Sequence, residues 1–124
     1  LVVDAYNANP TSMKASLANF EKTEFKNKGV ILGDMRELGE YSEREHREII
    51  DILSRMDLKK VILVGKEFGG QKGYSQECGC GDRFEFFEDV EALKESLHRV
   101  YIKNYTLLIK GSNGIRLQSL LTEL

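Results

Sequence analysis

The chain has 124 residues, of which 41% are hydrophobic and 31% charged, with a formal net charge of −2. That length makes one ordinary globular domain, large enough to bury a core without disulfides or a structural metal. The near-neutral balance, with Lys and Arg spread along the chain, excludes a broad electrostatic surface for nucleic acid or anionic membrane, and no run reaches the roughly 18 apolar residues of a membrane helix.

Residues 1–4 form a short apolar run ending in a carboxylate, Asp4. The chain starts within this strand, without Met and without a secretory signal pattern, so the expectation is a piece of a longer cytoplasmic protein. Asn9 is placed to cap a helix whose first residue is Pro10, where a missing N–H costs nothing. Met13, Leu17 and Phe20 give that helix one apolar face. Residues 29–33 (Gly-Val-Ile-Leu-Gly) read as a second strand, an unbroken apolar run suited to burial on both faces of a parallel sheet. Residues 34–41 are expected to be a loop. Ser42 followed three residues on by Glu45 predicts a capping box at the start of a long helix. Ile49, Ile50, Leu53 and Met56 form its inner face, and Glu43, Arg44, Arg47, Glu48 and Asp51 its solvated one.

Residues 61–64 are the third apolar run. Residues 66–82 are Gly-rich and irregular, consistent with a short helical turn and a variable loop. Cys78 and Cys80 lie in this stretch, and without two further ligands at sensible spacing they read as incidental thiols rather than a metal site. Phe84–Phe87 is a fourth strand. Asp89 caps a helix running to about His98, with Val90, Leu93, Leu97 and Val100 inward. Residues 106–109 are a fifth strand, and residues 115–124 a last helix. The segment around residues 66–74 leaves the strand count at five or six.

Short apolar strands alternating with amphipathic helices predict a three-layer, Rossmann-like α/β domain. Its sheet is mostly parallel, with helices on both faces and right-handed crossovers. Ligands in such folds bind outside the carboxyl ends of the strands, which directs attention to residues 4–9, 33–39, 65–70 and 110–114.

The first of these loops, Asp4-Ala5-Tyr6-Asn7-Ala8-Asn9-Pro10, offers a carboxylate for ligand hydroxyls and two carboxamides that both donate and accept. Those residues suit a tight strand-to-helix turn equally well. The second, Gly33-Asp34-Met35-Arg36-Glu37-Leu38-Gly39, sets two carboxylates and an Arg between glycines. The set can hold a zwitterion, although a plain polar loop is the reading its chemistry favours. The third, Lys110-Gly111-Ser112-Asn113-Gly114, combines a cation, flexible backbone and a following helix start; anion contact and simple turn are again equally served. It is not a Walker A loop, and residues 65–70 lack the dinucleotide fingerprint. His46, with no nucleophile partner in the sequence, reads as a surface or packing side chain.

In order along the chain, the three blocks resemble the C-terminal domain of the Mur ligases. Asp4-Ala5-Tyr6-Asn7-Ala8-Asn9-Pro10 with Thr11-Ser12-Met13 is similar to its opening, Leu32–Gly39 with Ser42 and Glu45-His46 to its second block, and Ile109-Lys110-Gly111-Ser112 to its last. The likeness runs along nearly the whole chain, leaving out residues 69–82. The Tyr-Asn-Ala-Asn form is most similar to the branch that joins D-alanyl-D-alanine to a UDP-N-acetylmuramoyl-tripeptide.

The resemblance implies an ATP-dependent ligase of peptidoglycan precursor synthesis. ATP phosphorylates the peptide carboxylate, the dipeptide amine attacks the acyl phosphate, and ADP and phosphate leave. It also implies that the phosphate loop and the Mg2+ ligands belong to a central domain which, like the N-terminal domain that holds the UDP-sugar end, is absent from this sequence, so that the present domain, residues 1–124, is inactive alone. Asp4, Tyr6, Asn7 and Asn9 would then face ATP. Asp34, Met35, Glu37 and Leu38 would face the peptide-accepting side, and Lys110, Gly111 and Ser112 would line the same cleft. Asn113 and Gly114 stand where many relatives carry an Arg, so an anion contact there would fall to Arg116 or be lost. The competing expectation is a stand-alone doubly wound binding or signalling module. Its receiver-like version is disfavoured because the third strand ends Val64-Gly65-Lys66, with no Asp to phosphorylate.

Overall fold

A computed structural model describes residues 2–3, 10–24, 26–35, 38–71, 73–74, 84–96 and 106–110. In chain order the elements are β1 (Val2–Val3), α1 (Pro10–Glu21), β2 (Lys28–Gly33), a 3-10 turn (Gly39–Tyr41), α2 (Ser42–Arg55), β3 (Lys60–Val64), α3 (Lys66–Gly69), β4 (Phe84–Phe87), α4 (Val90–Ser96) and β5 (Thr106–Lys110). The strands form one five-stranded sheet in the order β1-β5-β2-β3-β4, and every pairing within it is parallel. The expected α/β architecture is present, with five strands among the described residues. The expected ligand loop at residues 4–9, the thiols Cys78 and Cys80, and the last helix lie outside the described residues.

Chain direction and sheet order together place the helices. The connections β1-α1-β2, β2-α2-β3 and β3-α3-β4 all step the same way across the sheet, so right-handed crossovers put α1, α2 and α3 on one face. The return from β4 to β5 runs the opposite way and carries α4 to the other. Burial follows this division. Val30, Leu32, Val61, Leu63, Phe84 and Leu108 share one core cluster with Met13, Leu17 and Phe20 of α1, Ile49, Ile50 and Leu53 of α2 and Phe68 of α3. The alternating residues Ile31, Ile62, Val64 and Ile109 are just as buried, as successive side chains of a strand point to opposite faces. These strands read as continuous apolar runs because both faces are covered. Truncating Ile50 or Leu63 to Ala costs about 2–5 kcal/mol on this basis.

The helix ends depart from expectation in an instructive way. Asp89 caps α4 as predicted, its Oδ1 accepting the Ala92 N–H at 2.8 Å. Ser42 does not cap α2: it is the first helical residue, the N-cap is Tyr41 in helical backbone geometry, and no side-chain cap bond forms. The 3-10 turn running directly into α2 leaves no extended residue for Ser42 to occupy, and its hydroxyl is used elsewhere. The segment expected to be wholly loop therefore ends in a turn of helix. Glu45 turns outward with Glu48 to Lys14 of α1, the Lys14 ammonium lying 3.4 Å from Glu45 and 2.5 Å from Glu48. The Glu48 carboxyl is held below its usual range by the hydrogen bond from Lys14.

The carboxyl end of α1 is closed by a residue of the next strand. Lys28 donates from Nζ to the carbonyls of Phe20, Glu21 and Thr23 at 3.1–3.2 Å. A cation there meets both the orphan carbonyls and the negative end of the helix dipole. Lys28→Met should lower stability by about 1–2 kcal/mol in a denaturant titration. A change within about 0.3 kcal/mol would mean that water serves those carbonyls as well.

Candidate functional site

The carboxyl ends of β1, β5, β2 and β3 line up along one edge of the sheet. β5 sits between β1 and β2, reached by the one reversed connection, so the change of direction that opens a ligand crevice in such sheets falls beside it. Lys110, the last residue of β5, lies in register with Leu32 and therefore shares its face. Only 2% of Lys110 is exposed, so its charge is held at this edge largely out of water. Asp34, Met35 and Leu38 follow from the end of β2. Of the other residues singled out from the sequence, Asp4, Tyr6, Asn7, Asn9, Glu37, Gly111 and Ser112 lie outside the described residues.

Asp34 has a different local task from that expected of a ligand-facing carboxylate. Its backbone N–H continues the sheet by donating to Val64 O at 3.0 Å. Its side chain turns toward α3, where Oδ2 accepts the Glu67 N–H at 2.8 Å and Oδ1 the Phe68 N–H at 2.9 Å. Two of the orphan amides of α3 are thereby satisfied from another strand, an N-cap supplied across 33 residues of sequence. Burial pushes the Asp34 carboxyl above the usual range, and the two amide hydrogen bonds act in the opposite direction.

The residue before α3 makes this possible. Gly65 has φ 121° and ψ 166°, a region essentially closed to residues with a side chain. A Cβ at this position would fall on the Asp34 carboxyl group. Gly65→Ala therefore combines backbone strain with expulsion of a buried carboxylate from its partners, and should cost about 3 kcal/mol or more. Thermal unfolding of the variant measures this, and a shift of under about 2 °C would show that Asp34 and Gly65 are not packed as described.

Histidine 46 completes the cluster. It is fully buried, which decides against its being a surface residue. Its Nδ1 is 2.7 Å from the Ser42 carbonyl, and its Nε2 accepts the Met35 N–H at 3.0 Å. That pairing defines the neutral ring with the proton on Nδ1. The ring meets Phe68 edge to face, centroids 4.6 Å apart, and Nε2 stands 4.0 Å from Asp34 Oδ1. The Ser42 hydroxyl lies 3.2 Å from Nδ1 and donates to Glu67 Oε2 at 2.9 Å. The exit of β2, the first turn of α2 and the start of α3 are thus tied into one polar cluster. The residue chemistry of the sequence did not mark His46 and Gly65 as members of it; the traces there were a Gly directly after an apolar strand and the family-like block that joins Leu32–Gly39 to Ser42 and His46.

No helix among the described residues is long and apolar enough to cross a membrane, and no group of three or more His, Cys, Asp or Glu among them is arranged to hold a metal ion.

Comparison with known proteins returns one consistent picture. The family model described as "Mur ligase, glutamate ligase domain" matches residues 1–113. A UDP-N-acetylmuramoyl-tripeptide–D-alanyl-D-alanine ligase from Rickettsia prowazekii is 33% identical over 97% of this chain and 26% of its own length. The enzyme of the same name from Bacillus subtilis is 31% identical over 100% of this chain and 27% of its own. A crystal structure of MurF from Acinetobacter baumannii superposes with a TM-score of 0.77 at 28% identity, covering 98% of this chain and 27% of that one. The chain thus spans about a quarter of the length of the relatives it matches.

Proposed function

The chain belongs to the Mur ligase family, and we propose that it serves as the C-terminal domain of an ATP-dependent ligase joining D-alanyl-D-alanine to UDP-N-acetylmuramoyl-tripeptide. The observation that carries this reading is positional. The ends of β1, β5 and β2, which lead in sequence into residues 4–9, 111–114 and 34–38, sit side by side in one parallel sheet, and relatives bearing that activity in their names match across essentially the whole chain. The stand-alone module finds no support among those relatives, each of which is a ligase.

The donor set at the end of β1 fits a nucleotide. A carboxylate accepts from ribose hydroxyls, while Asn7 and Asn9 both donate and accept. By the family resemblance, Mg2+ would be held by the central domain of the enzyme. What ATP supplies is activation of the peptide carboxylate as an acyl phosphate. This domain supplies orientation: Glu37 and Leu38 hold the incoming dipeptide, and Lys110, Gly111 and Ser112 line the cleft between dipeptide and nucleotide. Met35, whose side chain is buried in the core and not open to a ligand as expected from the sequence, anchors the segment that carries Glu37 and Leu38. Asp34 contributes indirectly, by fixing α3 against the loop that carries those residues. Holding the dipeptide amine near the activated carboxyl converts a bimolecular step into an effectively unimolecular one, and closure of the domain over ATP excludes water from the acyl phosphate. A cytoplasmic location follows from those substrates.

The test is product formation by the full-length ligase. Mass spectrometry should detect UDP-N-acetylmuramoyl-pentapeptide when ATP, tripeptide and D-alanyl-D-alanine are all present, and none when D-alanyl-D-alanine is withheld. Joining of a single amino acid in preference to the dipeptide would move the protein to another branch of the family.

A further inference from the structure

The geometry points to His46 as a positioning residue for the dipeptide loop, acting through the backbone amide of Met35. The inference rests on the function proposed above, in which the segment after β2 receives D-alanyl-D-alanine. That segment is pinned at both ends. At Leu38 the carbonyl accepts the Tyr41 N–H at 3.0 Å and closes the 3-10 turn. At Met35 the backbone N–H is held by His46 Nε2 at 3.0 Å, and both residues are buried, at 1% and 0% exposure. An amide so placed has no water to fall back on, so the imidazole decides where the loop departs from the sheet.

The imidazole in turn has little freedom. The Ser42 carbonyl at 2.7 Å fixes its tautomer, and the edge of contact with Phe68 fixes its plane. Phe68 and its neighbour Glu67 are themselves held by the Asp34 carboxylate. Ring, carboxylate and α3 therefore form a closed brace around the root of the loop. The sequence distance from Met35 to His46 is 11 residues, so the contact is made by tertiary folding and not by local helix geometry. His46 has no exposure to solvent, so its part is to hold the Met35 amide and not to touch substrate.

Two isopolar variants of the full-length ligase separate this role from mere bulk. In His46→Gln the side-chain carbonyl reaches the position of Nε2 and can still accept from Met35. In His46→Asn the shorter amide reaches only the Nδ1 position near Ser42. The expected result is a rise of roughly tenfold in KM for D-alanyl-D-alanine in His46→Asn, largely restored in His46→Gln, with KM for ATP within about twofold of wild type in both. Equal behaviour of the two variants, or a parallel rise in the two KM values, would overturn the positioning role. A wild-type enzyme that does not use D-alanyl-D-alanine would instead count against the function proposed above. The brace is then read by hydrogen exchange of the segment containing Met35–Leu38: faster exchange in His46→Asn than in His46→Gln supports it, and equal rates overturn it.

Discussion

Replacing Asp34 by Ala is expected to destabilise the domain by about 3–4 kcal/mol. The side chain is 6% exposed and accepts two backbone amides of α3, and hydrogen bonds to a charged acceptor contribute roughly 1.5–3 kcal/mol each. Part of that is offset because the burial cost of the carboxylate disappears with it. Asp34→Asn keeps one acceptor oxygen and turns the other position into a donor that faces an amide, so it should recover less than half of the loss. Denaturant unfolding of wild type and both variants measures the differences directly. Loss of α3 protection in hydrogen exchange should accompany them, at least as large as the loss in β2 and β3. A destabilisation below about 1 kcal/mol in Asp34→Ala would mean that α3 does not depend on this carboxylate, and that the side chain is free to serve a ligand.

The second large effect is expected on turnover and lies at the other strand ends. In the full-length ligase, Asp4→Ala should raise KM for ATP by roughly 10–100-fold, the value of one or two hydrogen bonds to a charged group. Lys110→Ala should lower kcat by a similar factor with a smaller change in the KM for ATP, because a charge held at the sheet edge out of water acts most strongly on charge that develops during reaction. Lys110→Arg should not restore the rate, since a planar guanidinium does not fit where a slender side chain lies on the face of Leu32 at 2% exposure. Steady-state kinetics with each substrate varied in turn distinguish these patterns. Wild-type constants in both Ala variants would remove these two loops from the site.

Much of the fold was legible because its strands are buried on both faces. Residues 30–32 and 61–64 carry no polar interruption, and only a covered parallel sheet calls for such runs. The inward residues of α1 and α2 were legible from their spacing, and the cap at Asp89 from its local geometry, since donor and acceptor lie three residues apart. The polar cluster was not legible, for a common reason. Asp34 and His46 are bound to backbone N–H groups of Glu67, Phe68 and Met35, and a backbone donor has no residue type to reveal it. Ser42 was misplaced as a cap because its hydroxyl goes to Glu67, 25 residues away, a tertiary partner competing successfully with a local one. As for the loops of the site, residue chemistry left each poised between ligand contact and ordinary turn. Their order along the chain named the family, and the strand order set the roots of three of them on adjacent strands.

On the function proposed above, this domain lends binding and closure to a ligase whose chemical groups lie elsewhere in the protein. ADP formation, followed in parallel for the 124-residue domain and for the full-length enzyme, tests it most directly. The full-length enzyme should sustain ADP formation over many turnovers only when tripeptide and D-alanyl-D-alanine are both supplied, and the isolated domain should form none under any combination. Sustained ATP turnover by the domain alone, or sustained ADP formation by the full-length enzyme at the same rate without the dipeptide, would contradict it.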